Sequence, residues 1–166
     1  MSITQLPIQP ATTDSAPKEF KKRFAIYRAN AQGTGAAMQV DFNKAKESAF
    51  FEFAKQKAGT ERSFDWSEKI TLKVSEFEMG KIIALANGKI PQVKLFHAPS
   101  KGGYAIASEV ANTTLEASKS QYGYGFRIST QAQDKSVKSV SVTVSEEEMQ
   151  VLQIALSKGI ASLYDW

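Results

Sequence analysis

Hydrophobic and polar residues alternate along several short segments of the chain, and each of two groups of segments is followed by a helical pattern. Alternation with a period of two predicts β-strands with one buried face. In the first group, strands are predicted at 20–28, 36–43, 50–55 and 70–75. In the second group, strands are predicted at 92–98, 113–120, 122–131 and 138–144, with an irregular segment at 101–110.

Each group of predicted strands ends in nearly the same six residues. Positions 74–79 recur at 144–149 with five of six residues identical. In both copies a serine precedes the helix, and a glutamate three residues later completes a capping box. The pairs are Ser75 with Glu78 and Ser145 with Glu148. We interpret the pattern as an internal duplication and predict an α+β fold of two β-β-β-β-α repeats, about 20–88 and about 92–164.

The length of 166 residues suits one domain. Residues 1–17 are polar, contain three prolines and lack lysine, arginine and an apolar core, so they are neither a secretory signal nor a transit peptide. We predict a disordered leader at 1–17, a single domain at 18–166 and a cytoplasmic location, nucleoid-associated or phage-encoded. No apolar run approaches the roughly 20 residues that cross a bilayer, so no membrane partner is expected.

The charge pattern is compatible with nucleic acid without being diagnostic. The chain has 21 basic and 17 acidic residues, a net charge of +4. It has no cysteine, which excludes disulfides and thiolate metal sites, and we predict neither a metal nor a cofactor. The single histidine, His97, lies on an apolar strand face, and no phosphate-binding loop, dinucleotide fingerprint or nucleophile elbow is present. We therefore expect that the protein is not an enzyme.

Three segments of the chain carry motifs of one known family. The stretch at 64–85 begins Phe64-Asp65-Trp66, continues in an apolar strand and enters a Ser-x-x-Glu-x-Gly helix. Residues 95–99 are similar to a Phe-Phe-His-Asp-Pro sequence, with Ala98 in place of the aspartate, and a final apolar helix ends at Trp166. In these three features the chain resembles the Whirly proteins, over about 20–166.

One family motif is only partly present. The family's Lys-Gly-Lys-Ala-Ala-Leu motif falls at 33–38, where the small residues remain but both lysines are absent. The missing lysines remove the basis for inferring higher assembly, or a DNA contact, from that motif, and leave both open. Gly33 and Gly35 are instead predicted to supply positive φ in a turn at 30–35. Since the chain shows neither organellar targeting nor the acidic tail of plant members, it fits a bacterial or phage homologue.

The resemblance implies two antiparallel four-stranded sheets packed like propeller blades, with the helices behind them. It also implies a homotetramer formed through the helices, and binding of single-stranded DNA with little sequence preference along the sheets. DNA protection, recombination, repair and transcription are the processes that such binding serves. An RNA-binding or annealing protein of the same fold, and a non-catalytic protein-interaction module, stay open as alternatives.

Single-strand binding needs cations for phosphates and flat apolar groups for bases. The candidate residues are Lys21, Arg23, Tyr27, Lys55, Lys94, Phe96, Tyr122, Tyr124 and Arg127. The alternative for Tyr27 and Phe96 is that they only pack against neighbouring side chains on a sheet face. Tyr124 and Phe126 lie on the same face of their strand, so at least one of the two should be buried.

The last helix carries more apolar surface than one surface helix needs, which predicts a partner helix from another subunit. The predicted assembly residues are Ile82, Ile83, Leu152, Leu156 and Ile160. On this prediction, a charge placed at Leu152 or Leu156 breaks the oligomer.

Overall fold

The structure is a computed structural model and describes residues 22–98 and 109–165. The first repeat comprises β1 (Phe24–Arg28), β2 (Ala36–Asn43), β3 (Ser48–Lys55), β4 (Ile70–Ser75) and α1 (Glu76–Ala86). The second comprises β5 (Gln92–His97), β6 (Val110–Ser120), β7 (Gly123–Ala132), β8 (Val137–Val144) and α2 (Glu146–Leu163). Each repeat forms an antiparallel sheet whose strands pair in sequence order, which confirms the predicted α+β architecture.

Most strand boundaries agree with the predictions to within one residue, but three strands begin elsewhere. β1 begins at Phe24 rather than 20. β3 begins at Ser48 rather than 50, and β6 begins at Val110 rather than 113. Residues 110–113 are two apolar residues followed by two polar ones and do not alternate, but they pair with the end of β7 through a register shift between Val110 and Asn112. The predicted leader at 1–17, and most of the irregular segment at 101–110, lie outside the described residues.

The inward faces of both sheets and one side of each helix meet in a single apolar core. The sheets contribute Phe51, Phe53, Leu72, Leu115, Phe126, Ile128 and Val142, among others. The helices contribute Met79, Ile82, Leu85, Met149, Leu152 and Leu156. Tyr124 and Phe126 are both buried, whereas the sequence predicted burial of at least one of the two.

The capping boxes form as predicted at both helix starts. The Ser75 backbone N–H donates to Glu78 Oε2 at 2.9 Å, and the Ser145 N–H donates to Glu148 Oε2 at 2.8 Å. α1 ends at Ala86 and is followed by Gly88 in the left-handed conformation at φ 66°. The six-residue segment that recurs at 74–79 and 144–149 is thus a local strand-to-helix junction that stabilises the fold.

The predicted assembly residues need a correction. Ile82, Leu152 and Leu156 are buried in the core of their own subunit, and Ile83 and Ile160 pack against it half-buried. These positions follow helical spacing on the side that faces the sheets. α2 instead exposes Ile154, at 67% of its surface, and Val151, at 56%, which borders a groove that β1 also lines. Among the described residues, no helix is both long and apolar enough to cross a membrane.

Candidate nucleic-acid interface

The outer face of the first sheet, opposite the core, presents an aromatic pair. Tyr27 is 55% exposed near the end of β1, and its ring centroid lies 5.5 Å from that of Phe64. Across the strands, Tyr27 is in register with Ala37 and Ala54, which are fully buried. Because the neighbours are small, the two rings are the groups that project from this part of the face, as base stacking requires.

Charges on this face occur largely as pairs. Arg23 lies 4.0 Å from Asp41, and Lys69 lies 2.5 Å from Glu52, which also accepts a hydrogen bond from Gln39. Burial alone would raise the pKa of Glu52, but the hydrogen bonds from Lys69 and Gln39 outweigh it and hold the pKa below its ordinary value. The face therefore carries ionised acids beside its cations, and phosphates have to compete for those cations.

The outer face of the second sheet combines cations, an aromatic ring and hydroxyl groups. The strand register aligns Lys94, Glu116, Arg127 and Ser141 in one row across β5 to β8. Lys94 Nζ lies 3.2 Å from Glu116 Oε1, whereas Arg127 has no ion pair within the described part of the chain. The next row begins with Phe96, which is 60% exposed. It continues with Thr114, Ser129 and Ser139.

The row of Lys94 and Arg127 borders a groove of about 560 Å³ on this face. Gly125 lies in the groove, and a Cβ added there would meet nothing within 4 Å. Gly123 differs, because its φ is 121° and a Cβ would lie 2.3 Å from the Val144 carbonyl oxygen. Gly125 thus leaves room above the sheet, whereas Gly123 is required by the backbone itself.

The structure divides the candidate residues into groups. Lys94, Phe96 and Arg127 share one outer face, and Arg23 and Tyr27 share the other. Lys55 lies on the core-facing side of its strand, at a groove that Ser139 and Ser141 of β8 also line. Tyr122 is 79% exposed in the β6–β7 turn. Lys21 lies outside the described residues.

Tyr124 is a correction to the predicted site. Only 1% of its surface is exposed, and its hydroxyl lies 3.5 Å from the Ala86 carbonyl oxygen, beneath the second sheet. A base cannot reach a ring in that position. The alternation of β7 turns Arg127 outward and Tyr124 inward, since residues three apart in a strand lie on opposite faces.

Two aromatic residues of the first outer face were missed by sequence reasoning. Phe64, from the aromatic-Asp-Trp sequence, contacts Tyr27, and Phe50 points outward from β3 with Lys46 Nζ 5.3 Å from its ring centre. Strand parity could have found Phe50, because it is out of phase with the buried Phe51 and Phe53. Phe64 lies outside the named strands, and only the fold brings it beside Tyr27.

The duplication places the two exposed aromatic residues at equivalent positions. Tyr27 is the penultimate residue of β1, and Phe96 is the penultimate residue of β5, the first strand of the other sheet. Both are more than half exposed. Each sheet thus presents one aromatic side chain at the same point of its outer face.

Solved structures of known proteins share this architecture. The plant transcriptional regulator PBF-2 is 26% identical, with a TM-score of 0.69 over 91% of this chain and 94% of that chain. WHY3 from Arabidopsis thaliana is 23% identical, with a TM-score of 0.70 over 89% and 90%. MRP1/MRP2 of Trypanosoma bruciei share the fold at 12% identity, with a TM-score of 0.63 over 87% and 86%.

A comparison of the sequence with curated proteins finds no match. A comparison with protein families finds one: the family described as Whirly transcription factor matches residues 20–155, most of the chain. The resemblance first carried by the motifs at 64–85 and 95–99 thus agrees with both the family match and the fold. The chain belongs to the Whirly transcription factor family.

Proposed function

We propose that this protein binds single-stranded DNA with little sequence preference, along the outer faces of its two sheets. The observation that carries the proposal is the pair of exposed aromatic residues, Tyr27 and Phe96, at equivalent positions on outer faces that also carry cations. Membership of the Whirly family supports it, as does the similarity to a plant transcriptional regulator. DNA protection, recombination, repair and transcription are the processes in which such binding acts.

The shape of these faces favours unpaired strands. Stacking on Tyr27 or Phe96 needs a base whose flat side is free, and a duplex hides those sides. The cations Arg23, Lys94 and Arg127 can hold phosphates, which carry no sequence information. We therefore expect affinity from stacking and phosphate contacts together, and weak discrimination among bases.

Binding should depend on salt, but moderately, because Asp41 and Glu116 compete with phosphates for two of the three cations. Three phosphate contacts per subunit correspond to a slope of about −2 in a plot of log affinity against log salt concentration. Fluorescence anisotropy with oligo-dT, a matched duplex and a matched RNA, across a salt series, measures this slope. Equal affinity for duplex and single strand would contradict the proposal, and tighter binding of RNA would favour the annealing alternative.

Arg127→Ala should weaken binding of oligo-dT about three- to fivefold and make the salt slope shallower by about 0.7, the value of one phosphate contact on a single strand. Lys89→Ala is the matched control, since it removes the same charge from an exposed position just after α1. It should leave the slope unchanged. The same anisotropy titrations measure both variants, and equal losses in the two would mean that only overall charge matters.

We also propose that subunits assemble, as a tetramer, through the exposed side of the helices. Val151 and Ile154 of α2 support this, because two large apolar side chains lie exposed one helical turn apart. The assembly would set the sheets of several subunits side by side for one DNA strand.

If the helices serve only to bind another protein, single-strand binding should be absent from the assembled form. The proposed function involves no catalysis and no cofactor.

A further inference from the structure

Each capping carboxylate also contacts the other repeat. Glu78, in α1 of the first repeat, has Oε1 2.7 Å from His97 Nε2, at the end of β5 in the second repeat. Glu148, in α2 of the second repeat, contacts the Arg28 guanidinium, at the end of β1 in the first. Arg28 Nε also donates to the Thr143 carbonyl oxygen at 3.1 Å. The two contacts are therefore reciprocal and equivalent under the internal duplication.

Each carboxylate links the cap of its own helix to a strand end of the other repeat. One oxygen of Glu78 accepts the Ser75 backbone N–H of its own helix cap, and the other faces His97. Burial would raise the pKa of Glu78, but the hydrogen bonds from His97 and Ser75 outweigh it and keep the pKa low. Burial likewise opposes the hydrogen bonds that Ser145 and Arg28 donate to Glu148, whose pKa is also lowered. Both carboxylates thus stay ionised at neutral pH and can hold a donor from the other repeat.

The residue before each contact is an exposed aromatic. Tyr27 precedes Arg28, and Phe96 precedes His97. Successive residues of a strand point to opposite faces, so the anchored side chain points inward and the aromatic side chain points outward from the same backbone segment. Within the described residues, β1 and β5 are edge strands, paired on one side only. Such strand ends fray readily, and the inward contact restrains them.

We propose that His97 and Arg28 are positioning residues for single-strand binding: each fixes the neighbouring aromatic side chain, Phe96 or Tyr27, by anchoring its strand end to the capping carboxylate of the other repeat's helix. The inference rests on the proposed function. Restraining the ring before DNA arrives lowers the entropic cost of stacking a base on it. His97 has one contact with the other repeat and Arg28 has two, so the strand end that carries Phe96 is held less firmly than the one that carries Tyr27.

A double-mutant cycle tests whether His97 acts through Phe96. Phe96→Ala should weaken oligo-dT binding about tenfold, and His97→Ala about fivefold. With Phe96 already replaced, His97→Ala should have no further effect, because the ring that it positions is gone. His97→Gln should recover part of the loss, since its amide N–H can donate to Glu78. An equal loss from His97→Ala in both backgrounds, or no loss in either, would overturn the proposal.

A second measurement needs no DNA. The chain lacks cysteine, so Phe96→Cys accepts a single nitroxide label at that strand end. His97→Ala should raise the mobility of this label in the electron paramagnetic resonance spectrum. The same label at Ser129, in the same outer row as Phe96 but on the interior strand β7, should not change. Unchanged mobility at position 96 would overturn the positioning role, even if the protein binds DNA. Failure of the unmodified protein to bind oligo-dT would instead overturn the proposed function, and the inference with it.

Discussion

Leu152→Glu should unfold the subunit, whereas Ile154→Glu should leave it folded and break only its assembly. Leu152 is fully buried between α2 and the sheets, and Ile154, two residues on, is 67% exposed. A carboxyl group at position 152 would lose the leucine contacts, at about 2–5 kcal/mol, and would be buried without a partner, at about 2–7 kcal/mol more. Since a domain of this kind is stable by roughly 5–15 kcal/mol, the variant should be largely unfolded.

Circular dichroism melts and light scattering separate the two variants. Leu152→Glu should show a strongly lowered or absent thermal transition, and Ile154→Glu an almost unchanged transition with a lower molecular mass than the unmodified protein. If Leu152→Glu yields a folded monomer, the core assignment of α2 fails. If Ile154→Glu keeps the mass of the unmodified protein, or that protein is itself a monomer, assembly through the exposed side of α2 fails.

Gly35→Ala should destabilise the protein by about 3–5 kcal/mol. Gly35 does not need positive φ, as the turn pattern had predicted for both Gly33 and Gly35; only Gly33 has it, at 69°. A Cβ at position 35 would lie 2.1 Å from the Arg28 carbonyl oxygen and 2.5 Å from Gln56 Oε1. Overpacking of this kind costs about 1–3 kcal/mol, and loss of buried hydrogen bonds adds to it.

The hydrogen bonds at risk belong to Gln56, a polar side chain that is only 5% exposed. Its Oε1 accepts the backbone N–H groups of Asn30 and Gly35 at 2.9 and 3.0 Å, and its Nε2 donates to the carbonyl oxygens of Asn30 and Thr60 at 2.9 and 2.7 Å. Gln56 thus holds the β1–β2 turn against the loop after β3. A methyl group at Gly35 would push this side chain out of position.

Thermal denaturation measures the effect, and the expected fall in Tm is roughly 10 °C. Gly80→Ala is the matched control, because a Cβ there would meet nothing within 4 Å and the residue lies inside α1. That variant should be stabilised by up to about 1 kcal/mol, since alanine favours a helix more than glycine does. A Tm for Gly35→Ala equal to that of the unmodified protein would contradict the close packing of the turn.

Local signals in the sequence predicted most of the elements. The alternating strands and both Ser–Glu capping boxes could be read directly, because they depend on neighbours within four residues. Alternation also puts Phe51 and Phe53 on one face of β3, which is the buried one. For Tyr27 the sequence left packing and exposure both open, and the structure shows the side chain 55% exposed. Alternation already places Lys94 and Phe96 on one face of β5, and the strand register adds Arg127 of β7 to that face.

What the sequence determined by itself is the duplicated β-β-β-β-α order and the family, since both are written in short-range patterns and motifs. Only the tertiary structure decided which apolar helix residues face the core and which face outward, that Tyr124 is buried, that Phe64 joins Tyr27, and that the capping glutamates reach Arg28 and His97 of the opposite repeats. The reason is physical. These contacts join residues far apart in the chain, and their geometry depends on how the two sheets pack, which no local pattern records.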